Sequence, residues 1–160
     1  MGADQRIVDL GLALPAPTVV PPGLSIPFEW VRTVGDRVFV SGHGALDRDG
    51  APIGPFGRVP SEVSLEDAQA SARAAALAMF ASLKRSLERL DRVRAWLTVS
   101  GFVNADDGYG QTTAVVNPVS DLILDVFGRD VGAHARTAIG VRALPLNLPV
   151  IVAAELLVEL

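Results

Sequence analysis

His134-Ala135-Arg136-Thr137-Ala138-Ile139-Gly140-Val141-Arg142-Ala143-Leu144-Pro145-Leu146-Asn147-Leu148-Pro149-Val150 reads as a short apolar strand, a Leu-Pro turn and the start of a second apolar strand. It places one guanidinium, Arg136, at the mouth of that strand pair. A planar guanidinium can make two parallel charge-assisted hydrogen bonds to the two oxygens of a small carboxylate. The same residue serves equally as an arginine in a surface or interface salt bridge, and the spacing alone leaves both readings open.

Upstream, Phe28 to Val34 and Arg37 to Ser41 are apolar, β-branched runs joined by Gly35-Asp36, the chemistry of a hairpin turn. Their alternation sets Val38 and Val40 on one face and Phe39 and Ser41 on the other. The longest helix is expected to start at Ser64, an N-cap followed by Glu66 and Asp67, where the helix dipole favours acids. Ala68, Ala72, Ala75, Ala76, Met79, Leu83, Leu87 and Leu90 then recur at helical spacing and form one buried stripe. Ala95 to Val103 supplies a third strand, and a second helix runs from near Thr112 to Phe127. Pro118 would sit best in the first turn of that helix, and Gly128 is the candidate C-terminal cap.

The first residues, to about Ser25, carry Pro15, Pro17, Pro21 and Pro22 and read as an extended lead-in with at most one helical turn. Residues 26–160 form one domain. Residues 50–60 are a Gly/Pro-rich loop. The order strand, strand, helix, strand, helix, strand, strand is an α+β domain with two helices on one face of a mixed sheet. Apolar residues on both alternating sets of the last strand, Val150 to Val158, imply that its second face is also covered.

Composition narrows the function. The 160 residues carry 14 basic and 18 acidic side chains, a net charge of −4, which argues against nucleic-acid phosphates as partners. Cysteine is absent, so disulfides, thiolate nucleophiles and thiolate-bound metals are excluded. Asp47-x-Asp49 followed by Gly50 lacks the other ligands of a calcium loop and reads as a turn; Asp106-Asp107 is a poor metal signal too. Two histidines do not make a zinc site, and no glycine-rich phosphate loop is present, so no metal or nucleotide cofactor is implied. The N-terminus reads neither as a signal peptide nor as a membrane helix, and a soluble cytoplasmic protein is expected.

The run Ala135-Arg136-Thr137-Ala138-Ile139-Gly140-Val141 with Leu144-Pro145 resembles the C-terminal signature of the YjgF/RidA (endoribonuclease L-PSP-like) family. Pro27-Phe28, Gly35-Asp36 and Val38-Phe39-Val40-Ser41-Gly42 match its first two strands, and Thr113-Ala114-Val115-Val116-Asn117 a later helix. Gly101-Phe102-Val103-Asn104 and Ser120-Asp121-Leu122 resemble a subgroup with a longer N-terminus. The resemblance covers about Pro27 to Leu156 and implies a chorismate-mutase-like fold and a homotrimer with clefts between subunits. It also implies enamine or imine deamination, with Arg136 anchoring a small imino-acid carboxylate, backbone groups of Ala138 assisting, and Phe28, Ser41, Gly42 and Asn117 lining the cleft.

Two departures follow from the same comparison. Phe28 stands where the family usually has tyrosine, and Ala153 and Ile151 stand where it has acids in the last strand. Glu155 shares the Ala153 face but lies about 6 to 7 Å further along. Glu155 and His43 are therefore the remaining candidates for proton transfer, with a loop-bonded structural role the alternative for His43; His134 reads as an interface residue. Three functions stay open: an imine or enamine deaminase, a small-carboxylate binder that has lost catalysis, and an RNA-cleaving or translation-inhibiting protein. The acidic charge weighs against the third.

Overall fold

A hairpin, two helix crossovers and a C-terminal antiparallel strand build one five-stranded sheet. The computed structural model describes residues 1–160. Its elements are α1 (Ala3–Asp9), β1 (Val31–Val34), β2 (Arg37–His43), α2 (Leu65–Leu87), β3 (Val93–Asn104), α3 (Thr112–Gly132), β4 (Ala135–Val141) and β5 (Val150–Val158). The sheet order is β1-β2-β5-β3-β4. Only β3 and β4 pair in parallel, so the sheet is mixed, with β1 and β4 at its two edges.

Ser64 Oγ accepts from the Asp67 amide at 3.1 Å and starts α2 as expected. The alanine stripe is fully buried, which lets this helix lie close on the sheet above Val38, Val40, Val99, Val152 and Leu156. Glu88, at φ 68, ends it in the left-handed region. In α3, Val115, Val116, Val119, Leu122, Ile123, Val126 and Phe127 make the buried stripe. Gly101 of β3 sets how closely α3 approaches: a Cβ there would stand 2.6 Å from Val116 Cγ2. Gly128, at φ 72, interrupts α3 after Phe127, as its reading as a cap implied, and one further turn reaches Gly132.

Three expectations need correction. Helix α1 lies inside the expected lead-in and buries Ala3 and Ile7 in the core; it packs against α3, a third helix beside the two, α2 and α3, that cover one face of the sheet as expected. Asp4 and Asp91 accept from each other's backbone amides, and Lys84 pairs with Asp4; these contacts hold the helix in place across large sequence separations. Strand β1 begins at Val31, not Phe28. Pro118 sits inside α3 rather than in its first turn, where it removes the hydrogen bond to the Ala114 carbonyl. Gln69 Nε2 of α2 donates to that carbonyl at 2.9 Å and satisfies it.

No helix packs on the face of the sheet opposite α2 and α3. That face carries Phe39, Phe102, Ile139, Ile151, Ala153 and Leu157, several of them half-exposed. No helix is long and apolar enough to cross a membrane.

Candidate functional site

Arg136 lies on edge strand β4 and turns toward α3. Thr113, Asn117 and Ser120 follow one another at four and three residues along that helix, a spacing that puts them on one face. The guanidinium meets all three: Nη1 donates to Ser120 Oγ at 2.9 Å, and Nη2 donates to Asn117 Oδ1 at 2.8 Å and to the Thr113 carbonyl at 3.3 Å. Every one of these acceptors is neutral, and no carboxylate lies within ion-pairing distance of Arg136. Burial lowers the Arg136 pKa and Asp121 raises it; arginine stays charged throughout. Three of its five N–H donors are committed, so a carboxylate that takes it in parallel fashion competes first with the longest contact, to Thr113. Thr112 Oγ1 donates to the Ala138 carbonyl at 3.0 Å and pins the start of α3 to β4.

Behind Ser120 stands His134. Its Nδ1 is 2.6 Å from the Gly132 carbonyl and its Nε2 is 2.9 Å from Ser120 Oγ. A carbonyl can only accept, so in the neutral ring Nδ1 carries the proton and Nε2 accepts from the Ser120 hydroxyl.

The remaining expected residues gather at the other end of the sheet. Between Val40 and His43 the register of β2 against β5 shifts, so Ser41 and Gly42 both oppose Ala153. Ser41 Oγ donates to the Glu29 carbonyl at 2.7 Å. Phe28 packs edge-on against Trp30, whose ring lies 5.1 Å from the His43 ring. Phe28, Gly42 and His43, with Leu148 and Ile151, border an apolar cleft of about 440 Å³ that the segment from Thr18 to Trp30 closes on one side.

His43 is 2% exposed. Its Nδ1 faces the Ser41 carbonyl at 2.6 Å and its Nε2 faces Ser82 Oγ at 2.8 Å, and Arg85 Nη2 donates to the same oxygen at 3.1 Å. Burial pushes its pKa down from 6.5 to about 4, only partly countered by the Ser41 bond, and the Arg85 charge lowers it further. The ring is thus held neutral with both nitrogens engaged. Glu155 shares the open face with Ala153 and pairs with Arg37, whose guanidinium lies 5.6 Å from the Phe39 ring centre. Ala153 sits between Ser100 of β3 and the β2 irregularity, and no acid occupies the Ile151 or Ala153 position.

The expected residues therefore fall in two groups, Arg136 with Asn117 and Ala138 beside β4, and Phe28, Ser41 and Gly42 beside β2. Two intervening strands separate β2 from β4, a span of about 14 Å across the sheet. Ser120 and Thr113 entered the first group unforeseen, although their spacing from Asn117 on a helix already announced a shared face. The Asp47 turn forms as expected: Asp47 Oδ1 accepts from the Asp49 and Ala51 amides, both at 2.9 Å.

No protein-family model matches the chain. Protein TCP17 of Trypanosoma cruzi is 41% identical over 104 residues, which is 65% of this chain and 64% of that protein, so the chain spans less than two thirds of its relative. Among solved structures, Atu1372 of Agrobacterium tumefaciens, a protein of unknown function, is 28% identical with a TM-score of 0.84, covering 98% of this chain and 94% of its own. A candidate endoribonuclease from Shewanella oneidensis is 23% identical with a TM-score of 0.88, covering 99% and 100%. More distantly, the Escherichia coli YjgF product (18% identical, 89% and 92% covered, TM-score 0.58) and E. coli TdcF with bound serine (17%, 90% and 94%, 0.61) share the architecture. These likenesses fix the fold.

Proposed function

From the YjgF/RidA-like fold that this chain has, we propose that it binds small carboxylates at Arg136, in clefts completed by a neighbouring copy of the chain, and hydrolyses 2-aminoacrylate-type enamines or imines there to keto acid and ammonia. The observation that carries this reading is the state of Arg136, a partly buried cation oriented by three neutral acceptors, with Asp121 in its field but no carboxylate within ion-pairing distance. Such a charge is matched by an anionic ligand. Serine, the molecule bound to TdcF, carries a carboxylate of the kind proposed.

The separation of the two residue groups supports the shared cleft. Arg136 and the apolar cleft beside Phe28 lie toward opposite edges of the sheet, and a ligand a few ångströms long reaches both only where two copies meet. The helix-free sheet face supplies apolar surface for that assembly, and a homotrimer satisfies both demands. A second reading has its own support. With Ile151 and Ala153 where acids would stand and Glu155 paired to Arg37, the chain is equally a carboxylate binder with weak turnover.

Calorimetric titration of 2-oxobutanoate into the wild type, Arg136→Lys and Arg136→Ala tests the anchor. Each charge-assisted hydrogen bond contributes on the order of 1.5–3 kcal/mol. Lysine keeps the charge but loses the fork, so affinity falls in Arg136→Lys and further in Arg136→Ala. Unchanged affinity in both variants assigns Arg136 to structure.

A further inference from the structure

We propose that Ser120 and His134 form a proton relay beside Arg136, with Ser120 touching the substrate and His134 acting through it as the base, an inference that rests on the carboxylate reading of Arg136. The chain carries no acid at the position facing Ser41 and Gly42, yet imine hydrolysis needs a group that takes a proton from water and returns it to nitrogen. Next to Arg136 the structure holds such a pair already wired. The Ser120 hydroxyl points its proton at His134 Nε2, and the Gly132 carbonyl, 2.6 Å from Nδ1, orients the ring and stabilises the imidazolium once it forms. The Arg136 bond occupies one Ser120 lone pair at 2.9 Å and leaves the other for a ligand or its attacking water.

The same wiring occurs a second time in the chain, and the comparison is instructive. His43, Ser82 and Arg85 repeat the sequence of carbonyl, imidazole, hydroxyl and guanidinium, with His43 almost fully buried. That copy is a core fastening. The His134 copy is half-buried and sits at the sheet edge; neither guanidinium is ion-paired, so exposure is what sets the two copies apart.

The chemistry balances without any further reagent. Water oxygen adds to the imine carbon and the C=N electron pair moves to nitrogen; the proton that water loses enters Ser120 as the Ser120 proton passes to Nε2. The imidazolium returns that proton through Ser120 to nitrogen. The C–N bond then breaks, the hydroxyl proton of the intermediate follows the same path to the leaving nitrogen, and ammonia departs from the keto acid.

The test reads binding and turnover separately, by titration of 2-oxobutanoate and by ammonia release from a 2-imino acid generated in the assay. His134→Gln should keep affinity within about twofold and leave KM little changed while kcat falls about 100-fold or more. Ser120→Thr, which keeps a hydroxyl, should retain far more of kcat than Ser120→Ala, and this ratio decides the matter should His134→Gln fail to fold. A kcat for His134→Gln within about twofold of wild type overturns the relay, as do equal rates in the two Ser120 variants. Wild-type protein that binds 2-oxobutanoate but releases no ammonia above the uncatalysed rate also overturns it, leaving the carboxylate reading intact. Absence of binding in the wild type overturns the carboxylate reading itself.

Discussion

His43 should make the stability of this protein fall on mild acidification, with a size that the structure sets. In the folded chain its Nδ1–H is spent on the Ser41 carbonyl and its Nε2 accepts from Ser82, whose oxygen already receives an Arg85 N–H. Protonating Nε2 would turn that acceptor into a donor facing Ser82 with a cation behind it. The folded pKa is accordingly down at about 4, against an ordinary value of 6.5. Because the unfolded chain binds this proton more readily, the stability associated with neutral His43 is fully present above pH 6.5, is lost as pH falls from there to 4, and changes no further below. The whole effect is about 3 kcal/mol, of which about 2 kcal/mol is lost between pH 7 and pH 5. Urea unfolding of the wild type and His43→Gln at one protein concentration and these two pH values isolates it, since every other side chain is common to both proteins. The variant should be less stable at pH 7 and should lose about 2 kcal/mol less than the wild type on going to pH 5. Equal losses in the two proteins would refute the argument that burial holds His43 neutral.

Gln69→Ala leaves the Ala114 carbonyl, freed by Pro118, without its donor, and should cost about 1–3 kcal/mol in denaturant unfolding; a cost near zero would mean that water replaces Gln69. Ala153→Glu, installed opposite Ser41 and Gly42, should raise ammonia release from imino acids if the assembly is retained, whereas an unchanged rate would show that this position does not reach the substrate. Light scattering at micromolar concentration should return a homotrimer, and a stable monomer would remove the shared cleft.

Helix α2 could be read from local determinants, a serine cap, two acids in the first turn and an alanine stripe at helical spacing, except at its end: Leu90, placed on that stripe, lies beyond Glu88 in a separate short turn. The β4, turn and β5 sequence was legible for the same reason, and so was the interruption of α3 at Gly128. Long-range partners decided what was missed. Nothing near Ala3–Asp9 foretells that Asp91 and Lys84 will hold a helix there. Pro118 argues for a helix start until Gln69, from another helix, is seen to supply the lost hydrogen bond. At the site, Arg136 and Asn117 could be named from the family resemblance, and the structure brings them to 2.8 Å. Ser82 as the partner of His43, 39 residues away, has no signature in the chain.

The central claim, that Arg136 is kept for a carboxylate, is tested most directly by removing the charge from the ligand rather than from the protein. Titration of wild-type protein with 2-oxobutanoate and with 2-oxobutanamide changes one oxygen to an NH₂ and leaves ligand shape nearly constant. If Arg136 makes charge-assisted hydrogen bonds to the carboxylate, the amide should bind at least about tenfold more weakly. That preference should disappear in Arg136→Ala. Equal affinity for acid and amide in the wild type, or a preference that survives Arg136→Ala, would contradict the account.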